Sequence, residues 1–168
     1  MSVLSDYSIR KALESGLIEV VGPLMTDDCF QPASVDLHLG LEIQDKWGKV
    51  IYRDGDVRHI GPGEFILACT SETVSVGEAL RGQIHGKSSL ARRGIQIHAT
   101  AGYIDPGWAG TLTLEIYNLS DFPQDLIVGQ KICQVSFEEL TTPAERAYGH
   151  PDLNNHYQNS KGVQQCRA

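Results

Sequence analysis

The sequence predicts a mainly β domain, a sandwich or jelly roll, opened by one short helix and closed by a polar tail. Three observations predict it. From about Val35 onward the apolar residues fall in short alternating or continuous runs instead of at helical spacing. Gly, Pro and Asp interrupt those runs at close intervals, as turns between many short strands require. The 168 residues contain neither an internal repeat nor a low-complexity linker, so residues 1–168 are expected to fold as one domain. A chain this long buries roughly 70% of its unfolded surface and needs neither a disulfide nor a structural metal for stability.

The helix is predicted between Ser5 and Gly16. Ser5 and Asp6 offer caps, Ile9, Ala12 and Leu13 form an apolar stripe, and Gly16 terminates it. Strands are expected at Phe65–Thr70, Ile95–His98, Thr111–Tyr117 and Ile132–Phe137. Asp105-Pro106-Gly107-Trp108 carries proline and glycine at the two centre positions of a type II turn, so a strand should begin soon after it. In that strand Leu112, Leu114 and Ile116 share one face, while Thr111, Thr113, Glu115 and Tyr117 share the other, which puts Glu115 on the polar face. From Tyr148 to Ala168 the chain is polar and has little periodicity, and residues 148–168 read as a mobile C-terminal lid.

Hydrophobic residues at 41% and charged residues at 21% place the chain among ordinary globular proteins. No apolar run reaches membrane-spanning length, and Met1–Asp6 lacks the basic start and apolar stretch of a secretory signal. The expected location is therefore the cytoplasm, with no membrane partner. Fourteen Lys and Arg stand against 21 Asp and Glu, and the formal charge of −7 opposes attraction to a polyanion such as duplex DNA. Nucleic acid is not an expected partner. A small phosphorylated ligand remains open, because a few local cations and backbone N–H groups can bind it. Cys29, Cys69, Cys133 and Cys166 are widely separated and form no Cys-x-x-Cys pair, so reduced, buried thiols are expected.

The densest polar stretch is Gly86-Lys87-Ser88-Ser89-Leu90-Ala91-Arg92-Arg93-Gly94. Two hydroxyls and three cations there suit an oxyanion or a triphosphate, and they also suit a capped helical turn with solvated basic residues. The glycine spacing of a nucleotide-binding P-loop is absent. Further on, Asp105 and Glu115 flank one turn and one strand. A carboxylate beside bound water can shuttle protons in a hydrolysis, whereas Asp105 can equally serve the turn and Glu115 a solvated strand face. His98 alternates with Ile97 and can simply satisfy a strand or a core polar bond. The zinc-deaminase elements, His-x-Glu or Cys-x-Glu with Pro-Cys-x-x-Cys, do not occur, and no two of the six histidines stand three to five residues apart. Water would have to be activated by protein side chains.

The run Gly86–Gly94, then His98-Ala99-Thr100-Ala101-Gly102-Tyr103-Ile104-Asp105-Pro106-Gly107-Trp108, then Leu112-Thr113-Leu114-Glu115-Ile116-Tyr117-Asn118, closely resembles the dCTP deaminase family of the dUTPase superfamily. Gln31–Leu37, Gly129–Ile132 and Gln134 extend the likeness over most of the chain. The resemblance implies a distorted β jelly roll of the dUTPase-like type, assembled as a homotrimer with active sites between subunits. It implies zinc-free deamination of dCTP to dUTP and ammonia, with Mg²⁺ bound through the triphosphate and no metal held by protein side chains. Glu115 matches the general base and acid, Ser88 and the Ala101 carbonyl the groups that hold the attacking water, and Arg92 the arginine that supports it. Lys87 and Ser89 match positions at the phosphates, Asp105 the acid near the deoxyribose, and Tyr148 and Tyr157 residues of the closing tail near the nucleotide. The family's expected feedback ligand is dTTP, in the same pocket.

Two departures bear on the activity. Monofunctional members often carry histidine after the Thr-Ala pair. Gly102 stands there in this chain, as in bifunctional members that release dUMP and pyrophosphate, and it is counted with the substrate-binding positions. In the tail, a Lys-Tyr pair is replaced by His156-Tyr157, whose charge depends on pH. Deamination to dUTP is the first reading and the bifunctional reaction the second. A non-catalytic nucleotide-binding regulator on the same scaffold is the third.

Overall fold

The computed structural model describes residues 2–166. Helix α1 (Asp6–Glu14) forms where it was expected: the Ser5 side chain accepts the Ser8 N–H, and Ile9 and Ala12 are buried beneath it. The strands are β1 (Ile18–Val21), β2 (Phe30–Gln31), β3 (Ser34–Asp45), β4 (Gly48–Ile51), β5 (Val57–Ile60), β6 (Phe65–Val76), β7 (Leu80–Gly86), β8 (Ile95–Gln96), β9 (Tyr103–Ile104), β10 (Ala109–Asn118), β11 (Gln124–Ile127) and β12 (Lys131–Glu139). A short helical turn, α2 (Ser88–Ala91), follows β7. Among the described residues no helix is long and apolar enough to cross a membrane.

The strands curl into one large sheet in the order β8-β10-β6-β3-β12-β7-β9, with β1 added to β6, and β2 and β4 added to β3; β11 and β5 form a separate ribbon. All pairings between strands are antiparallel. The mainly β jelly-roll class predicted above is correct. The curl comes from β3. Its first half pairs with β12 at Val35–His38, and its second half pairs with β6 from Leu39 onward. At the crossover, Gly40 lies so close to β6 that an added Cβ would sit 2.9 Å from Cys69 O and from Thr70 O. The inward residues of β3, β6, β10 and β12, among them Leu37, Ile66, Leu114 and Phe137, form one continuous core.

Two strand expectations change. The segment at 95–98 pairs only through Ile95 and Gln96, because the chain leaves the sheet at Ile97 to build the loop that carries Ala99–Gly102. β1 precedes the region where strands were expected; its four residues alternate buried and exposed against the end of β6.

The crossover also explains a buried acid. Glu72 is fully buried, and its carboxylate accepts the His38 backbone N–H at 2.8 Å and contacts His38 Nδ1 at 2.6 Å. The His38 N–H is the donor left over where β3 changes partners. Replacing Glu72 with leucine strands two buried donors, each costing about 1–3 kcal/mol. We expect Glu72→Leu to lose about 3 kcal/mol of stability in urea unfolding and Glu72→Gln, which keeps an acceptor, to lose clearly less.

Candidate active site

The Asp105–Trp108 turn forms as its sequence requires. Trp108 N–H donates to Asp105 O at 3.1 Å, and Gly107 has φ +86°. β10 starts directly after it with the predicted division of faces: Leu112, Leu114 and Ile116 are buried, and Thr111, Thr113, Glu115 and Tyr117 face outward. The outward face of β10 and the 101–108 loop border a cavity of about 530 Å³. Glu115, Ala101, Asp105, Tyr148 and Tyr157 all line it. Glu115 Oε2 accepts the Ala99 N–H at 2.9 Å, which fixes the carboxylate against the loop that carries Ala101. A carboxylate so placed has an oxygen left for water.

Ser88, Ser89 and Arg92 do not line this cavity. Ser88 and Ser89 stand exposed on α2 and Arg92 just after it, and among the described residues the two hydroxyls and the guanidinium have no side-chain partner. The helical turn expected of this stretch is present but without a side-chain cap, since Lys87 holds the cap position. Lys87 itself is engaged: its ammonium pairs with Asp36, which is 2% exposed, and Lys131 Nζ lies 3.6 Å from the other Asp36 oxygen. Gly102 is buried behind the cavity wall. An added Cβ would lie 2.6 Å from Gln83 Nε2 and 2.9 Å from His98 Cε1, so a larger residue there would have to displace those two side-chain ends. Among the described residues no three His, Cys, Asp or Glu side chains gather where they could hold a metal ion.

Residues 41–140 match the family model described as dCTP deaminase-like. A protein of Methanobrevibacter smithii named "dCTP deaminase, dUMP-forming" is 42% identical, over 94% of this chain and 90% of its own length. The chain belongs to the dCTP deaminase-like family. A Methanosphaera stadtmanae relative of the same name is 37% identical over 98% of this chain and 92% of its own, and a Haloarcula marismortui relative named "dCTP deaminase" is 38% identical over 96% and 92%. Among solved structures, the 2'-deoxycytidine 5'-triphosphate deaminase of Agrobacterium tumefaciens superposes with a TM-score of 0.69 at 21% identity, covering 82% of this chain. The matched part is 48% of that longer chain. The EIAV dUTPase superposes with a TM-score of 0.55 at 20% identity, over 81% of this chain and 99% of its own. Both likenesses establish the dUTPase-like fold.

In this member of the dCTP deaminase-like family the tail is seated on β10. Asn159 N–H donates to Ala109 O at 2.7 Å, Thr111 N–H to Ser160 O at 2.9 Å, and Gln164 N–H to Thr113 Oγ1 at 3.1 Å. Tyr148 packs edge-on against Trp108, ring centroids 5.2 Å apart, and its hydroxyl accepts the Tyr157 N–H at 3.3 Å. Gln164, Gln165 and Cys166 thereby become part of the cavity wall. Residues 167 and 168 of the expected lid lie outside the described residues. Of the four thiols, Cys29, Cys69 and Cys133 are buried as expected, and burial pushes Cys69 and Cys133 up, away from the reactive thiolate. Cys166 is exposed, contrary to expectation, at the wall of the open cavity.

Sequence reasoning missed Asp36 as the anchor of Lys87, and Thr111 and Thr113 as tail receptors. Their signal was present: Asp36 lies in the matched Gln31–Leu37 run, and both threonines stand on Glu115's face.

Asp105 is exposed as a residue, yet the cavity wall withholds enough water from its carboxylate to raise its pKa above the ordinary value. The native state then holds a proton that the unfolded chain has already released. Stability therefore falls as pH rises from the ordinary aspartate range through the raised value. Asp105→Asn is expected to be more stable than the parent at pH 7, with the difference closing below the ordinary aspartate pKa, as followed by thermal melts across pH.

Proposed function

We propose that this protein deaminates dCTP and then cleaves the resulting dUTP, releasing ammonia, pyrophosphate and dUMP with the consumption of two waters. The observation that carries the reading is Glu115, fixed by the Ala99 N–H at the wall of a cavity shared with Ala101, Asp105, Tyr148 and Tyr157. Glu115 takes a proton from water as the oxygen bonds to C4 of cytosine. It passes that proton to the exocyclic amine, the C4–N bond breaks, and ammonia leaves. Asp105 receives a deoxyribose hydroxyl. In the second step water attacks phosphorus, and pyrophosphate departs from dUMP.

Release of dUMP takes precedence over the dUTP-releasing reading that the sequence placed first. The relatives from Methanobrevibacter and Methanosphaera bear the dUMP-forming name, and Gly102 matches the bifunctional pattern. A histidine at position 102 would have to displace the side-chain ends of Gln83 and His98.

The exposed turn supplies the other half of the site from a neighbouring subunit of a homotrimer. Ser88 and the Ala101 carbonyl hold the water, and Arg92 stabilises charge during attack. Ser89 and Lys87 receive the phosphates, since the Lys87 ammonium keeps donors beyond the one given to Asp36. Mg²⁺ arrives with the substrate, held by the triphosphate. dTTP competes for the same cavity.

Anion-exchange separation of products formed from dCTP with Mg²⁺ is expected to yield dUMP and pyrophosphate. Accumulated dUTP would restore the monofunctional reading, and tight dCTP binding without product would make the protein a silent binder. Glu115→Gln should lower deamination by about 10²–10⁴-fold, because the amide cannot carry the proton. The divided site has its own check. Glu115→Gln and Arg92→Ala proteins, each inactive alone, should regain part of the activity when unfolded and reassembled together, and an absence of rescue would contradict sites shared between subunits.

A further inference from the structure

Glu42 lies on β3, outside the cavity, and faces the tail with a neighbour of opposite charge. Its Oε1 accepts the Val163 N–H at 2.6 Å and pairs with Lys49 Nζ at 2.5 Å. Lys49 Nζ also reaches the Val163 carbonyl at 3.4 Å, so the pair grips both polar groups of one peptide-bonded residue. Val163 is 3% exposed, the most deeply buried among the described residues of the tail. The residue before it, Gly162, has φ +66°, and a Cβ there would lie 2.5 Å from the Glu42 carboxylate. This grip falls one residue before Gln164, which with Gln165 lines the cavity that Glu115 also lines.

From this geometry we infer that Glu42, with Lys49, is a positioning residue for nucleotide binding. It pins the tail at Val163, so that Gln164 and Gln165 are already in place when the nucleotide enters. The inference rests on the function proposed above for the part concerning substrate, while the pinning itself stands on the contacts alone. A preset wall spares the nucleotide the ordering of the tail, so its loss is felt in binding before chemistry. Glu42 touches no reacting atom and should act on KM far more than on kcat.

The Lys161–Gly162 bond supplies a readout without substrate, because trypsin cuts there only when the tail lifts from β10. One charge-assisted hydrogen bond corresponds to about a tenfold change in that equilibrium. In Glu42→Leu we expect cleavage after Lys161 to accelerate about tenfold and KM for dCTP to rise by a similar factor, with kcat within about twofold. Glu42→Gln, which retains the acceptor for Val163 N–H, should rescue most of both effects. A merely structural role would lower the melting temperature without separating KM from kcat. If Glu42→Leu folds poorly, Val163→Ala loosens the tail from its own side and should give the same pair of changes. Unchanged cleavage in a folded variant overturns the inference, as does faster cleavage with an unchanged KM. If the parent protein turns over no dCTP, the proposed function fails, and the proteolysis result alone decides whether Glu42 pins the tail.

Discussion

A strand that changes sheet partners part-way along its length needs another acceptor for any backbone donor that neither ladder takes up at the crossover. β3 makes that change between His38 and Leu39, and Glu72 resolves it. A fully buried carboxylate is costly unless it is hydrogen-bonded, and here it takes the orphaned His38 N–H and the imidazole together. The curl that follows brings β10 and the β8–β9 loop around to one side of the molecule. It brings β8 and β9, the two ends of the sheet order, within reach of the short loop between them, and the pairing of β8 with β10 at Gln96–Tyr117 sets Ala99 beside Glu115.

The site follows from that curl by short steps. Antiparallel pairing sets Glu115 opposite Leu67 on β6, so the carboxylate and an apolar side chain share one wall of the cavity. A register shift between Thr111 and Thr113 frees the Leu112 N–H, which Thr70 Oγ1 accepts at 3.0 Å. The bend presents Thr111 and Thr113 to the tail. Their hydroxyls meet the Gly162 carbonyl and the Gln164 N–H, and the tail becomes a wall of the cavity.

Local signals in the sequence were sufficient wherever the structure is local. The Ser5 cap, the Pro-Gly turn at 106–107 and the alternation through 111–117 each depend on neighbouring residues, and each forms as read. The family likeness carried what periodicity could not, above all the curl of the sheet. Illegible were the contacts that join distant parts of the chain. Glu72 reads as an ordinary polar strand residue until β3 is placed beside it. Glu42 and Val163 stand 121 residues apart with no pattern linking them. The tail has no periodicity because its order comes from β10 rather than from its own side chains.

The two groups of site residues are built on opposite physical terms. Glu115 is held by a backbone N–H at a cavity wall, where its orientation is set before any ligand arrives. Ser88, Ser89 and Arg92 are exposed and uncommitted within the chain, so water satisfies them at no desolvation cost until something displaces it. A preset carboxylate suits a proton transfer, which depends on distance and angle. Solvated donors suit a triphosphate, which can replace water at each of them in turn. Lys87 joins the two regimes. Its ion pair with buried Asp36 fixes the base of the turn to the sheet, while the hydroxyls and guanidinium beyond it stay free to reach another surface. On the function proposed above, that division is what a site shared between subunits needs: one face rigid enough for chemistry, the other open enough to receive charge.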